Sequence, residues 1–391
     1  MILVQDKPAR KMRIVHLTFG FPPQIGGVET FVADLTAWQA ANGFAVTVIA
    51  GSTATDPHEE HRCGVHVHRL PFIHALSHND LSGVAAIRRK ITSISEVFAP
   101  EIIHLHPVAA EMLFMGDFIR STTVPVVTTL HVDVSWQPPV YRKNLGALLA
   151  RSGIVAVVSD ALLRDARRTF PDRASKLCLV ENGLASRDPI AVNASPDQYL
   201  YLGRLSHEKG VDVALRALAL LANGGDRFYL TIAGDGPARE ALEALTEALN
   251  LRGQVSFLGQ VDRDDVPSIL SRHTALLVPS RWQEPFGLVV LEAAMAARPA
   301  IVSSVGALRD LVEHGITGLH VATEAPEELA AAMIELKSVP ERARVMGAAA
   351  AARASKDYPI SRSGTEYRKL YRLLTRDSVD RASHGMSDVV D

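Results

Sequence analysis

Apolar runs of five to seven residues, rich in Val and Ile, recur through the first half of the chain between longer amphipathic segments. Those at 13–18, 45–50, 65–70, 102–106, 124–130 and 153–158 are hydrophobic almost throughout, the pattern of strands buried on both faces. Between them, residues 29–42, 81–98 and 161–169 carry the helical period. The alternation predicts parallel strands joined by helical crossovers, an α/β fold.

At 184–198 the pattern lapses into Ala185-Ser186-Arg187-Asp188-Pro189 and Asn193-Ala194-Ser195-Pro196-Asp197, a polar, proline-marked linker. It then restarts, with strands expected at 198–202, 228–233, 255–258, 275–279 and 299–303 and helices at 211–222, 238–250, 266–272 and 287–297. Two separate doubly wound domains follow, residues 1–187 and 197–355. Beyond them 326–336 and 343–355 read as Ala-rich helices. A last helix, 362–374, places Tyr367, Leu370, Tyr371 and Leu374 on one face that needs a surface to cover it. Residues 377–391 are polar and aperiodic, an expected disordered tail.

A length of 391 residues agrees with two domains, and 47% hydrophobic against 21% charged residues is a folding composition. Lys+Arg 41 against Asp+Glu 43 leaves a net charge of −2, so no global basic field points to nucleic acid. Cys63 and Cys178 are too few and too far apart for a disulfide scaffold or a zinc pair, which fits a reducing cytoplasm. No apolar run approaches the ~18–20 residues that span a bilayer. Residues 1–11 lack the apolar core of a signal peptide, and Met12 is an alternative natural start.

Three loops carry the candidate chemistry. After the first strand, Gln24-Ile25-Gly26-Gly27-Val28-Glu29 opens a helix at paired glycines, where unpaired amides and the missing Cβ atoms suit a phosphate; a plain tight turn is the other reading. After the first strand of the second domain, Arg204 and Lys209 set a fork donor and a point charge five residues apart, a match for a diphosphate or a solvated loop paired with Glu208. After a later strand, Glu284 stands in a loop, Gly287 opens a helix and Glu292 lies inside that helix among apolar neighbours.

In this order, and with Gly234-Asp235-Gly236-Pro237, the loops resemble the family-4 retaining glycosyltransferases, from Arg13 to about Leu374, with Glu284 and Glu292 forming an E-x7-E pair. The resemblance implies the GT-B fold: two Rossmann-like domains facing across a cleft, the first binding the acceptor and the second the nucleotide-sugar, with a C-terminal helix, 356–376, crossing back onto the first. It implies Arg204 and Lys209 on the diphosphate, Glu292 on the ribose hydroxyls, Glu284 at the transferred sugar, and the amides of Phe286, Gly287 and Leu288 along the sugar. It also implies a role for His131, in Val127-Thr128-Thr129-Leu130-His131-Val132-Asp133.

The expected activity is retaining, metal-independent transfer of a hexose from a UDP-, GDP- or related nucleotide-sugar to an acceptor hydroxyl on a lipid, glycan or small metabolite. No cofactor is expected. Arg204, Lys209 and two helix starts would stabilise the departing charge, and no Asp-x-Asp metal motif lies beside either site. The domains are expected to hinge at the linker and at the C-terminal helix. A nucleotide-sugar epimerase or hydrolase on the same fold, and a non-catalytic sugar-binding module, are the competing readings. A cytoplasmic protein is expected, with peripheral membrane contact through Arg88-Arg89-Lys90 and Arg164, Arg167 and Arg168 left open against solvated helix faces.

Several features draw the bland reading. Arg239 stands where a dinucleotide fingerprint wants a third glycine or alanine. His58, His61, His66, His68, His74 and His78 read as surface histidines rather than a metal site. His104 and His106 edge the cleft or serve structure, Asn182 is a left-handed turn residue or a ligand, and residues 136–141 form an irregular loop with aromatic faces.

Overall fold

The structure, a computed structural model, describes residues 10–53, 56–108, 111–186, 194–225 and 227–384, with side chains to Arg376. The first sheet contains β1 (Met12–Thr18), β2 (Phe44–Gly51), β3 (Glu59–Arg62), β4 (Val65–Leu70), β5 (Ile102–His106), β6 (Val126–Leu130), β7 (Ile154–Val157) and β8 (Leu177–Leu179). Their order is β3-β4-β2-β1-β5-β6-β7-β8, parallel except for the β3–β4 hairpin. The second sheet contains β9 (Gln198–Leu202), β10 (Tyr229–Ala233), β11 (Val255–Gly259), β12 (Ala275–Val278), β13 (Ala300–Ser303) and β14 (Gly318–Val321), all parallel, in the order β11-β10-β9-β12-β13-β14.

Each order reverses once, between β1 and β5 in the first sheet and between β9 and β12 in the second. Helices cover both faces, which is why the strand runs are apolar on both sides. Open α/β sheets bind ligands beyond the carboxyl ends of the strands that flank such a reversal. The loops after β1, β9 and β12 are the three that carry the candidate residues.

Some elements depart from the pattern. The Glu-Glu-His-Arg of β3 has no apolar face and is a strand because it pairs with β4. The helix Pro139–Arg151 replaces the second half of the irregular loop expected at 136–141, with Pro139 in its first turn, where a missing N–H is harmless. Trp136 stands before it, 74% exposed. The terminal helix Ile360–His384 runs past the boundary expected at Asp377, because extending a formed helix gains a hydrogen bond per residue without a new nucleus. The rest of that tail, 385–391, and residues 187–193 of the linker lie outside the described residues.

The chain crosses between the domains twice, and the crossings pair. Leu184 N donates to Tyr358 O at 3.0 Å and Ile360 N to Leu184 O at 2.9 Å. Gly183 lies where a Cβ would meet the Pro359 carbonyl at 2.6 Å. The terminal helix then docks on the first domain: Gly364 leaves room for the Trp38 ring, Tyr367 and Tyr371 are fully buried, and the Arg368 guanidinium sits 5.0 Å over Trp38. Burying each tyrosine stabilises the docking by about 2 kcal/mol. Among the described residues no helix is long and apolar enough to cross a membrane.

Candidate active site

The second domain builds its side from two loops that lock together. Where β9 ends, Gly203 takes φ 150°, and Tyr201 donates its hydroxyl to Arg204 O at 2.8 Å, fixing the turn. Gly234, after β10, lies so close to the Gly203 carbonyl that a Cβ would collide with it. Gly210, at φ 68°, closes the loop against the Pro279 carbonyl, where a Cβ would likewise collide. Arg281 braces the second loop with a two-pronged contact to Asp212 at 2.6 and 2.8 Å, and its amide donates to Glu208 O at 2.8 Å.

Inside this frame Lys209 Nζ lies 2.6 Å from Glu284 Oε1, which also accepts from Ser280 Oγ at 2.7 Å. Glu284 is 6% exposed. Its peptide is held by Ala307 N, which donates to Glu284 O at 2.9 Å, and Gly306 lies against it at a distance no side chain would permit. Lys209 Nζ also sits 4.9 Å over the Trp282 ring, whose buried Nε1–H has no partner among the described residues. The Arg204 side chain is exposed and, among the described residues, makes no hydrogen bond or ion pair. The helix Leu288–Met295 starts at Gly287, φ 99°, where a Cβ would meet Leu308 at 2.7 Å; Phe286 and Leu288 are buried beside it. Glu292 is half-buried on that helix, in a different setting from Glu284.

The first domain supplies the helix Gly27–Ala41, which begins opposite: a Cβ on Gly27 would touch Leu288 Cδ1 at 3.5 Å. Gly26 is extended, and a Cβ there would collide with the Glu29 carboxylate folded back over the loop; burial pushes that carboxyl up. Ser159 Oγ donates to Pro285 O at 2.5 Å, and Arg263 pairs with Asp34 at 2.6 Å. These contacts set the carboxyl edge of the first sheet against the Glu284 loop. Arg263 also shows that an Asp-x-Asp does occur near the interface, contrary to expectation, but its exposed Asp262 and Asp264 flank an arginine already paired across the domains.

His131 follows β6 at this edge, 6% exposed. Asp133 holds its loop by accepting from Ser135 N at 3.0 Å and Ser135 Oγ at 2.8 Å, and Asp165 accepts from Val134 N at 2.9 Å. Behind His131 lie His106, His16 and His104, all fully buried. Loss of hydration pushes His131 down to about 3 and His16 to about 4, and takes His104 and His106 well below the ordinary imidazole range. All four rings are neutral near pH 7.

The structure therefore brings Lys209 and Glu284 into contact, sets Gly27 against Leu288, and places Arg204 and His131 on loops beyond the carboxyl ends of their sheets. It corrects other expectations. Lys209 pairs with Glu284 rather than Glu208, which instead accepts from Ser206 Oγ at 2.6 Å. Asn182 is buried, is not left-handed, and its Oδ1 has no partner among the described residues. His104 and His106 are interior. His68 is buried too, its Nδ1 3.1 Å from Glu59 Oε1; Glu59, His66 and His68 could together hold a metal, though Lys90 Nζ already lies 3.5 Å from that carboxylate. Trp282 and His16 carried no sequence signal of a role, because each gains one only from a contact between distant segments.

Comparison with known proteins agrees with this geometry. The family described as "Glycosyl transferase 4-like domain" matches residues 26–183, and "Glycosyl transferases group 1" matches residues 185–353. The glycogen synthase of Mycobacterium tuberculosis is 28% identical over 401 residues, covering 93% of this chain and 95% of that protein. Sucrose-phosphate synthase from Thermosynechococcus elongatus superposes with a TM-score of 0.82 at 22% identity, covering 94% of this chain and all of that one. Anabaena HepE in complex with UDP and glucose gives 0.75 at 18% identity, covering 93% and 100%. Two facing doubly wound domains, a helix crossing back, and both halves matched in order establish that the chain belongs to the GT-B glycosyltransferases of the family-4 type.

Proposed function

We propose that the protein transfers a hexose from a nucleotide-diphosphate-sugar to an acceptor hydroxyl with retention of configuration and without a metal. The observation that carries this reading is the Lys209–Glu284 contact, with Arg204 exposed on the same loop as Lys209. A diphosphate entering between them would meet the guanidinium, the ammonium and the amides at the start of the Leu288–Met295 helix, which together would stabilise the charge that develops on the leaving group. The Trp282 Nε1–H is a further donor in want of an acceptor. Glu292 would take the ribose hydroxyls, and Glu284, steadied by Lys209 and Ser280, the hydroxyls of the sugar. His131 would meet the sugar from the first domain, with Gly26 and Gly27 closing the phosphate side.

UDP in the HepE complexes supports a nucleotide-sugar donor in proteins of this shape. The first domain's loops would select the acceptor. Nucleotide release from UDP-, GDP-, ADP- and TDP-sugars, with and without acceptor alcohols, tests the reading. Transfer that keeps the anomeric configuration and survives a chelator supports it; a donor consumed only by water, or inverted product, defeats it.

A further inference from the structure

The four buried histidines belong to one unbroken line of hydrogen bonds that begins on the crossing helix and ends at His131. The Tyr367 hydroxyl lies 2.8 Å from Thr129 Oγ1, which lies 2.7 Å from His104 Nε2. His104 Nδ1 lies 2.7 Å from the Tyr371 hydroxyl, and that lies 3.0 Å from the Gln39 amide. The other end of the amide lies 2.8 Å from His16 Nε2; His16 Nδ1 is 3.0 Å from His106 Nε2, and His106 Nδ1 is 3.0 Å from His131 Nε2. Both ring nitrogens of His16, His104 and His106 are used. His131 Nδ1 alone among the eight has no partner among the described residues.

A neutral imidazole carries one hydrogen, so a histidine bonded at both nitrogens donates on one side and accepts on the other, and a buried hydroxyl flanked by two partners strands its hydrogen unless it donates to one of them. With the Gln39 oxygen on His16, as placed, the bonds run from His131 toward Tyr367. The line then ends with the hydrogen of Tyr367 or Thr129 lacking any acceptor, since each hydroxyl has only its neighbours in the line and both residues are fully buried. Turning the amide end for end preserves its shape and reverses the whole line. Tyr367 then donates to Thr129, Thr129 to His104, His104 to Tyr371, and Tyr371 to the Gln39 carbonyl. The Gln39 amide donates to His16, His16 to His106, and His106 to His131 Nε2. Every hydroxyl and imidazole hydrogen behind His131 now has an acceptor, and the one left over, on His131 Nδ1, belongs to whatever ligand meets that nitrogen. A stranded buried donor is the more costly arrangement.

We propose that His16, Gln39, His106 and Tyr371 are positioning residues that lock His131 in its Nδ1–H tautomer, giving it one fixed hydrogen-bond donor for an oxygen of the bound ligand. That the ligand is the donor sugar rests on the proposed function; the tautomer does not. The Tyr367–Thr129 end sets its polarity, and Tyr371 on the crossing helix and Gln39 on the helix that opens at Gly27 transmit it, so two elements remote in sequence orient one ring in the cleft.

Ring-nitrogen NMR of the full chain labelled at histidine, with His131→Asn to assign its signals, reads the tautomer directly. The expected result is a single His131 form protonated at Nδ1, which becomes a mixture of both tautomers in Gln39→Met and, with less disturbance of packing, in Tyr371→Phe. Donor KM in either variant should rise roughly three- to tenfold, the loss of about one neutral hydrogen bond. His131 protonated at Nε2 in the wild type, or a tautomer unmoved by both variants, overturns the proposal. So does a stoichiometric metal in the purified protein held by His16, His104 and His106, whose ligand atoms lie within 4.8 Å of one another. If no nucleotide-sugar is turned over, the functional reading fails while the tautomer still stands or falls on the spectra.

Discussion

On the second domain's side of the cleft, Lys209 pairs with Glu284 and Arg204 is exposed on the same loop as Lys209, both loops held by glycine contacts and the Arg281 brace. On the first domain's side, four histidines in a row carry no charge, because burial without a carboxylate partner keeps each ring neutral. The charged loops suit an anion; the line of histidines suits only neutral hydroxyl groups. A transferase that must separate a charged leaving group from an uncharged sugar has use for that division, since a cation on the sugar's side would hold the leaving group in the wrong place.

Acid should break the neutral half with the largest effect. In the unfolded chain these imidazoles take up protons near their ordinary value of 6.5, whereas in the fold His16 resists until about 4 and His131 until about 3. Below pH 6.5 the folded state therefore binds fewer protons, and stability falls as the pH drops toward 4, by up to about 1.4 kcal/mol per pH unit for each such ring. Denaturant midpoints at pH 7 and pH 5 measure this, and a His104→Asn variant with a visibly flatter dependence would confirm the source.

The charged half is tested by removing its cations. Arg204→Ala and Lys209→Ala should each slow nucleotide release on the order of a hundredfold at unchanged folding; an Arg204→Ala enzyme as fast as wild type would sink the diphosphate role. Next in size is the seam that aligns the halves. Gly364→Ala drives a methyl into the Trp38 ring and should lower stability by about 1–3 kcal/mol, read as a shifted thermal midpoint. The smallest effect is screening: raising salt should lift donor KM a few-fold in wild type and less in Lys209→Ala. Equal salt dependence in both would mean that the charges do not meet the donor.

Much of this architecture is written in the chain. Period and proline punctuation place β1, β5, β9 and β12, and with them the two reversals where sites form. Glycines in these loops sit where a Cβ would collide, Gly210 with the Pro279 carbonyl and Gly287 with the Leu308 side chain. Lys209 and Glu284 are each legible as candidates, one beside Arg204 and the other with Glu292, though their contact is not. The turn reading of Asn182 and the surface reading of His68 went astray for one reason: burial of a polar side chain depends on what packs over it, and a local window does not contain the cover.

Local pattern thus settles which segments become strands and helices, because alternation and helical period act over a few residues and solvent sorts them. Tertiary structure alone decides that the Lys209 ammonium reaches Glu284 and that Tyr371 reaches Gln39 across 332 residues. It also decides that four histidines scattered over three loops and strands align as one neutral line. Such pairings depend on distances fixed only when the sheets pack and the last helix crosses back, and burial then sets the protonation that the sequence leaves open.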